Sequence, residues 1–330
     1  TALVIAFITA LNSNGTLHWS TLFGGNTICL PHEIVEDNNG NLIICGEVYG
    51  LTTIDPIDTL IFADVQCIPP TPPAFNGGFP LCNPGSGAYF KDSYSGGLSD
   101  IFIAKFDSAR KLIYSTILGG EGADDALDLI VDTSDNSFYI TGSSENSSKG
   151  NNNTTSPCNT PTNNGFPLCD FGSGIYYQDS YPGSSKSAYV LKFNSQNQLL
   201  WGSYVGSANN ETVGHKLALN SDGDLYLGGR AFVFNNVLLP DTFCAVPTNG
   251  GFPLCDPGGN AFYADHVGFV GYWDWFLIKF NPNKRIEWAA ILGGGREESG
   301  ALFMDDGGMD IAIDDSNRVY GYGTTLKSNF

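Results

Sequence analysis

The stretch "DIFIAKFDSARKLIYSTILGGEGADDALDLIVDTSDNSFYITGSS", from Asp100 to Ser144, alternates short apolar runs with polar turns. Four strands can be cut from it: "IFIAKFD", "KLIYSTILG", "ALDLIVD" and "SFYITGS". The turns between them are rich in Asp, Asn, Ser and Gly, which supply the backbone conformations that hairpins need. No helix is required. Ile101 to Ala104 is apolar at every position instead of every second one, as expected when a small sheet is covered on both sides.

The stretch is one of four copies. "ALNSNGTLHWSTLFGG", "KFDSARKLIYSTILGG", "KFNSQNQLLWGSYVGS" and "KFNPNKRIEWAAILGG" superimpose without a gap from Leu11, Phe106, Phe193 and Phe280, at spacings of 95, 87 and 87 residues. Each carries an aromatic residue at one place, Trp19, Tyr114, Trp201 or Trp288, and a glycine further on, Gly24, Gly119, Gly206 or Gly293. A second block follows each time: "EIVEDNNGNLIICG", "LIVDTSDNSFYITG", "LALNSDGDLYLGG" and "IAIDDSNRVYGYG". Repeats of this length signal stacked supersecondary units, and four strands per unit are the ingredients of a propeller.

On these residues the Asp100 to Ser144 stretch resembles the SBBP repeat, the seven-bladed β-propeller repeat of bacterial secreted and surface proteins. The resemblance implies an all-β fold: a β-propeller of four-stranded antiparallel blades, with long disulfide-stapled loops between blades. The chain then divides into blade repeats at 1–52, 100–143, 187–230 and 274–326. Cysteine-containing inserts fall at 53–99, 144–186 and 231–273, all within one propeller-type domain. Four copies are fewer than seven, so the expectation is a part of a longer propeller array, with a small or open four-blade assembly as the alternative.

The inserts repeat as well. "NGGFPLC" at Asn76 to Cys82 returns at Asn249 to Cys255, with "NNGFPLC" at Asn163 to Cys169. An upstream cysteine precedes each one: Cys67 before Cys82, Cys158 before Cys169, Cys244 before Cys255. Bridges of that span close loops of roughly 10 to 16 residues and stabilise by about 3 kcal/mol. Phe and Leu of the motif are expected to dock on the propeller while the cysteine staples the loop. Cys29 and Cys45 form a further disulfide candidate, with two buried thiols as the alternative. Downstream of the motif, Tyr89 and Phe90, Tyr176 and Tyr177, and Phe262 and Tyr263 are equivalent aromatic pairs; a docked pair beside the bridge would anchor the insert, with partner or glycan contacts as the alternative.

Fifteen basic against 34 acidic residues give a net charge of -19, which repels nucleic acid and anionic lipid. No run of roughly 18 apolar residues is present to span a bilayer. Eight cysteines, an even number, fit disulfides in an oxidising, extracellular or cell-surface setting. His18, His32, His215 and His266 do not recur at equivalent positions. No nucleophile elbow, P-loop or dinucleotide fingerprint is found, so no catalytic residue is assigned. Acidic turns offer weak calcium candidates at Asp222, Asp224, Asp305 and Asp306, against a simpler role in turn geometry; otherwise no cofactor or metal is expected.

The function expected from these features is a non-enzymatic structural or adhesive module of a bacterial cell-surface protein, appendage or filament. Its partners would be other protein chains, through self-assembly or surface contacts, or glycans. The alternative is a glycan- or protein-binding propeller that uses the aromatic insert loops. A polysaccharide-active enzyme comes third, because propellers also carry such sites.

Overall fold

A computed structural model describes residues 4–25, 27–50, 63–64, 79–145, 156–161, 165–179, 185–207, 210–233, 244, 252–259, 273–292 and 310–323. Within them the chain is all-β. Strands β1 (Ala6–Leu11) and β2 (Leu17–Phe23) form a hairpin, followed by β3 (Cys29–Glu36) and β4 (Leu42–Tyr49). The first insert contributes two short strands, β5 (Ala63–Asp64) and β6 (Pro80–Leu81). Next come β7 (Ser99–Phe106), β8 (Leu112–Leu118), β9 (Asp124–Asp132) and β10 (Ser137–Ser144). They are followed by β11 (Ser187–Phe193), β12 (Leu199–Val205), β13 (Asn210–Leu219) and β14 (Leu225–Val233). The series ends with β15 (Trp273–Phe280), β16 (Ile286–Leu292), β17 (Asp310–Ile313) and β18 (Val319–Tyr322).

Three four-stranded antiparallel sheets result: β3-β4-β7-β8, β9-β10-β11-β12 and β13-β14-β15-β16. Among the described residues β1-β2 and β17-β18 are two-stranded. The sheets are set half a repeat away from the sequence units. The unit at 100–143 gives its first two strands to one sheet and its last two to the next, and each insert runs between the second and third strands of a single sheet. The reason is pairing. Leu42 lies opposite Phe106, Phe138 opposite Phe193 and Leu225 opposite Phe280, so the polar turn block joins the strand beyond the insert.

Both hairpin turns repeat at atomic detail. Arg110, Asn197 and Lys284 have φ of 66, 63 and 62°, and Gly15 stands at the same place with 82°. In these turns the residues Asp107, Asn194 and Asn281 accept hydrogen bonds from the main-chain N–H of Lys111, Gln198 and Arg285 at 2.8 to 3.1 Å. The second turn family likewise places Gly40, Asn136, Gly223 and Asn317 at positive φ. Asp and Asn are therefore in these turns for the backbone they cap. One glycine is required for a different reason. At the equivalent positions Gly46, Gly142 and Gly229, an added Cβ would run into a carbonyl oxygen of the bulged neighbouring strand.

Side chains alternate between the two faces of each sheet, and both faces are buried. Ile44, Phe102, Ala104 and Ile117 pack toward the β1-β2 hairpin, whereas Ile43, Cys45, Ile101 and Ile103 pack toward the second sheet. Phe138, Ile140, Leu191 and Phe193 of the second sheet meet that face, and its Tyr139, Val190 and Trp201 meet Leu227, Phe276 and Ile278 of the third. Ile311, Ile313 and Val319 of the last hairpin close over Tyr226 and Leu277. The sheets thus lie face to face in chain order. Their first strands converge: Lys216 Nζ of β13 lies 2.8 Å from Asp128 of β9 and 3.5 Å from Glu33 of β3.

Phe166 of the second insert is fully buried between Tyr189 and Tyr204, with ring centroids 4.8 and 5.3 Å away. Phe166→Ala is expected to destabilise the fold by about 3 to 5 kcal/mol. Thermal unfolding measures it, and a loss below about 1 kcal/mol would contradict this packing.

Candidate functional site

The outer edge strands β8, β12 and β16 are each covered by the repeated insert motif. Cys82 and Ser115 exchange two main-chain hydrogen bonds of 3.0 Å. Cys169 and Gly202 do the same at 2.9 and 3.0 Å, and Cys255 and Ala289 at 3.1 and 3.0 Å. The motif therefore acts as a short extra strand that satisfies the N–H and C=O groups of an otherwise open edge. Its apolar residues go inward: Phe79, Leu81, Phe252 and Leu254 are buried, as are Phe166 and Leu168. Phe79 packs 5.5 Å from Phe102, and Phe252 packs 5.0 Å from the equivalent Phe276.

Two of the staples expected from spacing are formed as expected. Cys158 is bonded to Cys169 and Cys244 to Cys255, each across 11 residues. Cys82 is also disulfide-bonded, while Cys67 lies outside the described residues. Two disulfides point to an oxidising, non-cytoplasmic environment.

Cys29 and Cys45 do not form the further bridge that was one of the two expectations; both are buried free thiols. Geometry forbids the bond, because Cys29 faces the core toward the first hairpin and Cys45 the core on the other side of the same sheet. Burial pushes the Cys29 thiol up to about 12 and that of Cys45 far above its usual range.

The aromatic pairs divide. Tyr89 and Tyr176 are buried, as a docked anchor of the insert would be, and are not available as partner contacts. Each crosses to the opposite side of its own sheet from the motif. Tyr89 packs 6.2 Å from Phe193 of the second sheet, and its N–H donates to Asn197 O at 2.9 Å. Tyr176 packs 5.7 Å from Phe280 of the third sheet and donates to Lys284 O at 2.9 Å. The repeat aromatic locks this crossing: Tyr114 Oη donates to Tyr89 O at 2.8 Å and Trp201 Nε1 to Tyr176 O at 2.9 Å. Tyr and Trp interchange there because both are large apolar bodies ending in a donor. Phe90 and Tyr177 are half-buried, and Phe262 and Tyr263 lie outside the described residues.

Neither the family models nor the curated proteins contain a match to this chain.

Of the calcium candidates, Asp222 accepts a hydrogen bond from Asn317 Nδ2 at 2.7 Å and Asp224 lies 2.9 Å from Lys279 Nζ. Asp305 and Asp306 lie outside the described residues. The Asp224 ion pair belongs to a series. Lys105, Lys192 and Lys279 are equivalent, and each meets a turn aspartate, Asp37, Asp135 or Asp224, at 2.9, 3.9 and 2.9 Å. Among the described residues no three His, Cys, Asp or Glu side chains gather as a metal site would require.

A buried titratable cluster includes part of "EGADD", Glu121 to Asp125, an acidic run that as sequence offers only a weak calcium candidate against a solvated loop. Asp100 at the start of β7 and Asp124 at the start of β9 are both fully buried on either side of Gly119, where an added Cβ would strike both carboxyls. Asp100 accepts from Ser95 N and Asp124 from Gly120 N, each at 2.6 Å. Ser95 Oγ donates to Gly119 O at 2.9 Å and accepts from the buried Lys91 Nζ. The recurring glycine at position 119 was the available signal, since it marks where two acidic strand starts press together. Asp100 and Asp124 each accept from a main-chain N–H, so the visible work of the cluster is to hold the connection between the first and second sheets.

Burial pushes the Asp100 carboxyl from 3.8 up to about 7, and burial followed by the charge of Asp100 pushes Asp124 well above its usual range. A folded-state value above the unfolded one favours the protonated fold. This contribution is therefore fully present below the unfolded value and is lost as pH rises toward the folded one. Asp100→Asn is expected to raise the melting temperature near pH 8 but not near pH 4, with at most about 1.4 kcal/mol for each pH unit between those limits. An equal effect at both pH values would contradict it.

Thiol titration provides a second check. The native chain is expected to expose no reactive thiol, and the chain unfolded without reductant should expose two, from Cys29 and Cys45. Release of Cys82, Cys169 or Cys255 as a free thiol would overturn the staples.

Proposed function

We propose that this chain is a non-enzymatic, extracellular structural or adhesive module of the β-propeller type. It would belong to a bacterial cell-surface protein, appendage or filament, with blades of the SBBP kind. The observation that carries the reading is how the inserts are used. The motif caps the outer edge of a sheet on one side, and in the first two inserts a tyrosine reaches beneath the neighbouring sheet on the other. Long segments spent on clamping sheets together suit a part that must hold its shape outside the cell. Radial packing is supported by the convergence of Glu33, Asp128 and Lys216 from three successive first strands.

The alternative reading, a glycan- or protein-binding propeller using aromatic insert loops, loses two of its contacts to the interior, Tyr89 and Tyr176. Phe90 and Tyr177, half-buried, are what remains to it among the described residues.

The test is surface labelling of intact native cells with a membrane-impermeant reagent, combined with electron microscopy of the released material. Labelled protein in a coat, appendage or polymer is expected. A chain labelled only after lysis would sink the proposal.

A further inference from the structure

Four buried side-chain oxygens stand without a partner where the second sheet joins the first. They are Asp100 Oδ1, Asp124 Oδ1, Ser144 Oγ and Ser187 Oγ, on residues that are all 0% exposed. Such atoms are rare, because a buried polar group left without a partner costs about 1 to 3 kcal/mol. Register explains how they meet. Asp124 of β9 lies directly opposite Ser144 of β10, and Ser144 directly opposite Ser187 of β11. Residues opposite one another project to the same face, here the face that Ala126, Ile140 and Leu191 turn toward the first sheet. The row across three strands is thus a carboxyl followed by two hydroxyls. Asp100 arrives from the first sheet, and the two carboxyls meet over Gly119. The Ser144 hydroxyl faces the Asp124 carboxyl, yet it reaches hydrogen-bond geometry with no group.

Charge at this corner is unbalanced as well. Lys91 is buried beside the pair, but its ammonium donates to Ser95 Oγ and to neither carboxylate. Asp92 also acts on Lys91, and Asp125 acts on Asp124. Four carboxylates therefore share the corner with one buried ammonium.

We propose that Asp100, Asp124 and Ser144 hold a calcium ion at the junction of the first and second sheets, with Ser187 bordering the site. Calcium takes about six to eight oxygen ligands, among them carboxylates, main-chain carbonyls and water. The hydroxyls extend a set that has only two carboxylates, which is why acidic and imidazole side chains alone do not mark it. Every donor here is oxygen, so zinc, which favours nitrogen and sulfur, fits poorly. Magnesium is smaller and demands near-ideal octahedral geometry, which strand ends from two sheets do not supply. The ion offsets the charge of the pair and fastens the start of β7 to the start of β9. This inference does not depend on the structural role proposed above.

The test is thermal unfolding of the purified chain near pH 8 in EDTA, in magnesium chloride and in calcium chloride. Each salt is used at about 10 mM, above the dissociation constants of about 0.1 to 1 mM found in extracellular calcium modules. Calcium is expected to raise the melting temperature by about 2 to 5 °C more than magnesium does. Asp100→Asn is expected to lose that rise, and Ser144→Ala to show a smaller one. The melting curve of Asp100→Asn in EDTA separates loss of the ion from loss of the fold, because this variant is expected to be the more stable chain there. The proposal is overturned if calcium does no more than magnesium, which would leave a proton or a water between the carboxyls. It is also overturned if Asp100→Asn keeps the full calcium rise, which would place the ion elsewhere.

Discussion

Burial of both faces of each four-stranded sheet is the constraint on which the rest of this structure depends. β7 has no exposed residue along its length, and neither has β10. A sheet of this kind is unstable in water unless a neighbour lies on each side, because each large apolar side chain left exposed forfeits about 1.5 to 3 kcal/mol. Face-to-face stacking in chain order satisfies the demand for the three complete sheets. The same constraint explains why the hairpins repeat so closely: a one-residue slip would turn the core face of a strand onto the wrong neighbour.

Stacking alone leaves the outer strands open, and the inserts resolve this. Their cysteine segment pairs with the edge, their Phe and Leu enter the core on one side, and in two inserts a tyrosine enters the core on the other. The small residues opposite the cysteine, Ser115, Gly202 and Ala289, follow from the closeness of that backbone. At Gly202 an added Cβ would lie 2.6 Å from Pro167 O. The disulfide then restricts the unfolded loop, so that a segment with few aliphatic residues keeps its place.

Much of this was legible in the sequence. Strand positions, hairpin turns, the bridges ending at Cys169 and Cys255, and the docking of the motif's Phe and Leu follow from periodicity and spacing. What was not legible depends on which strand pairs with which across a long insert. Sequence order joins "SFYITGS" to "ALDLIVD" but gives no sign that it also pairs with Ser187–Phe193 beyond the insert. For the same reason Tyr89 and Tyr176 read as loop aromatics, although their partners lie in the following sheet. Cys29 and Cys45 are close in sequence, yet opposite faces of one sheet keep them apart. The carboxyls of Asp100 and Asp124 come together only because strands from two sheets begin side by side.

The half-repeat offset between sequence units and sheets has a consequence for how such a chain changes in length. Each unit contributes half of one sheet and half of the next, so the polypeptide itself crosses every interface in the stack. A tandem gene duplication of any one unit would insert a whole sheet together with its insert and would leave the two terminal halves as they are. New interfaces would not have to be invented, because each junction reuses one already present. Growth by unequal crossing-over is thus a conservative genetic event for this architecture.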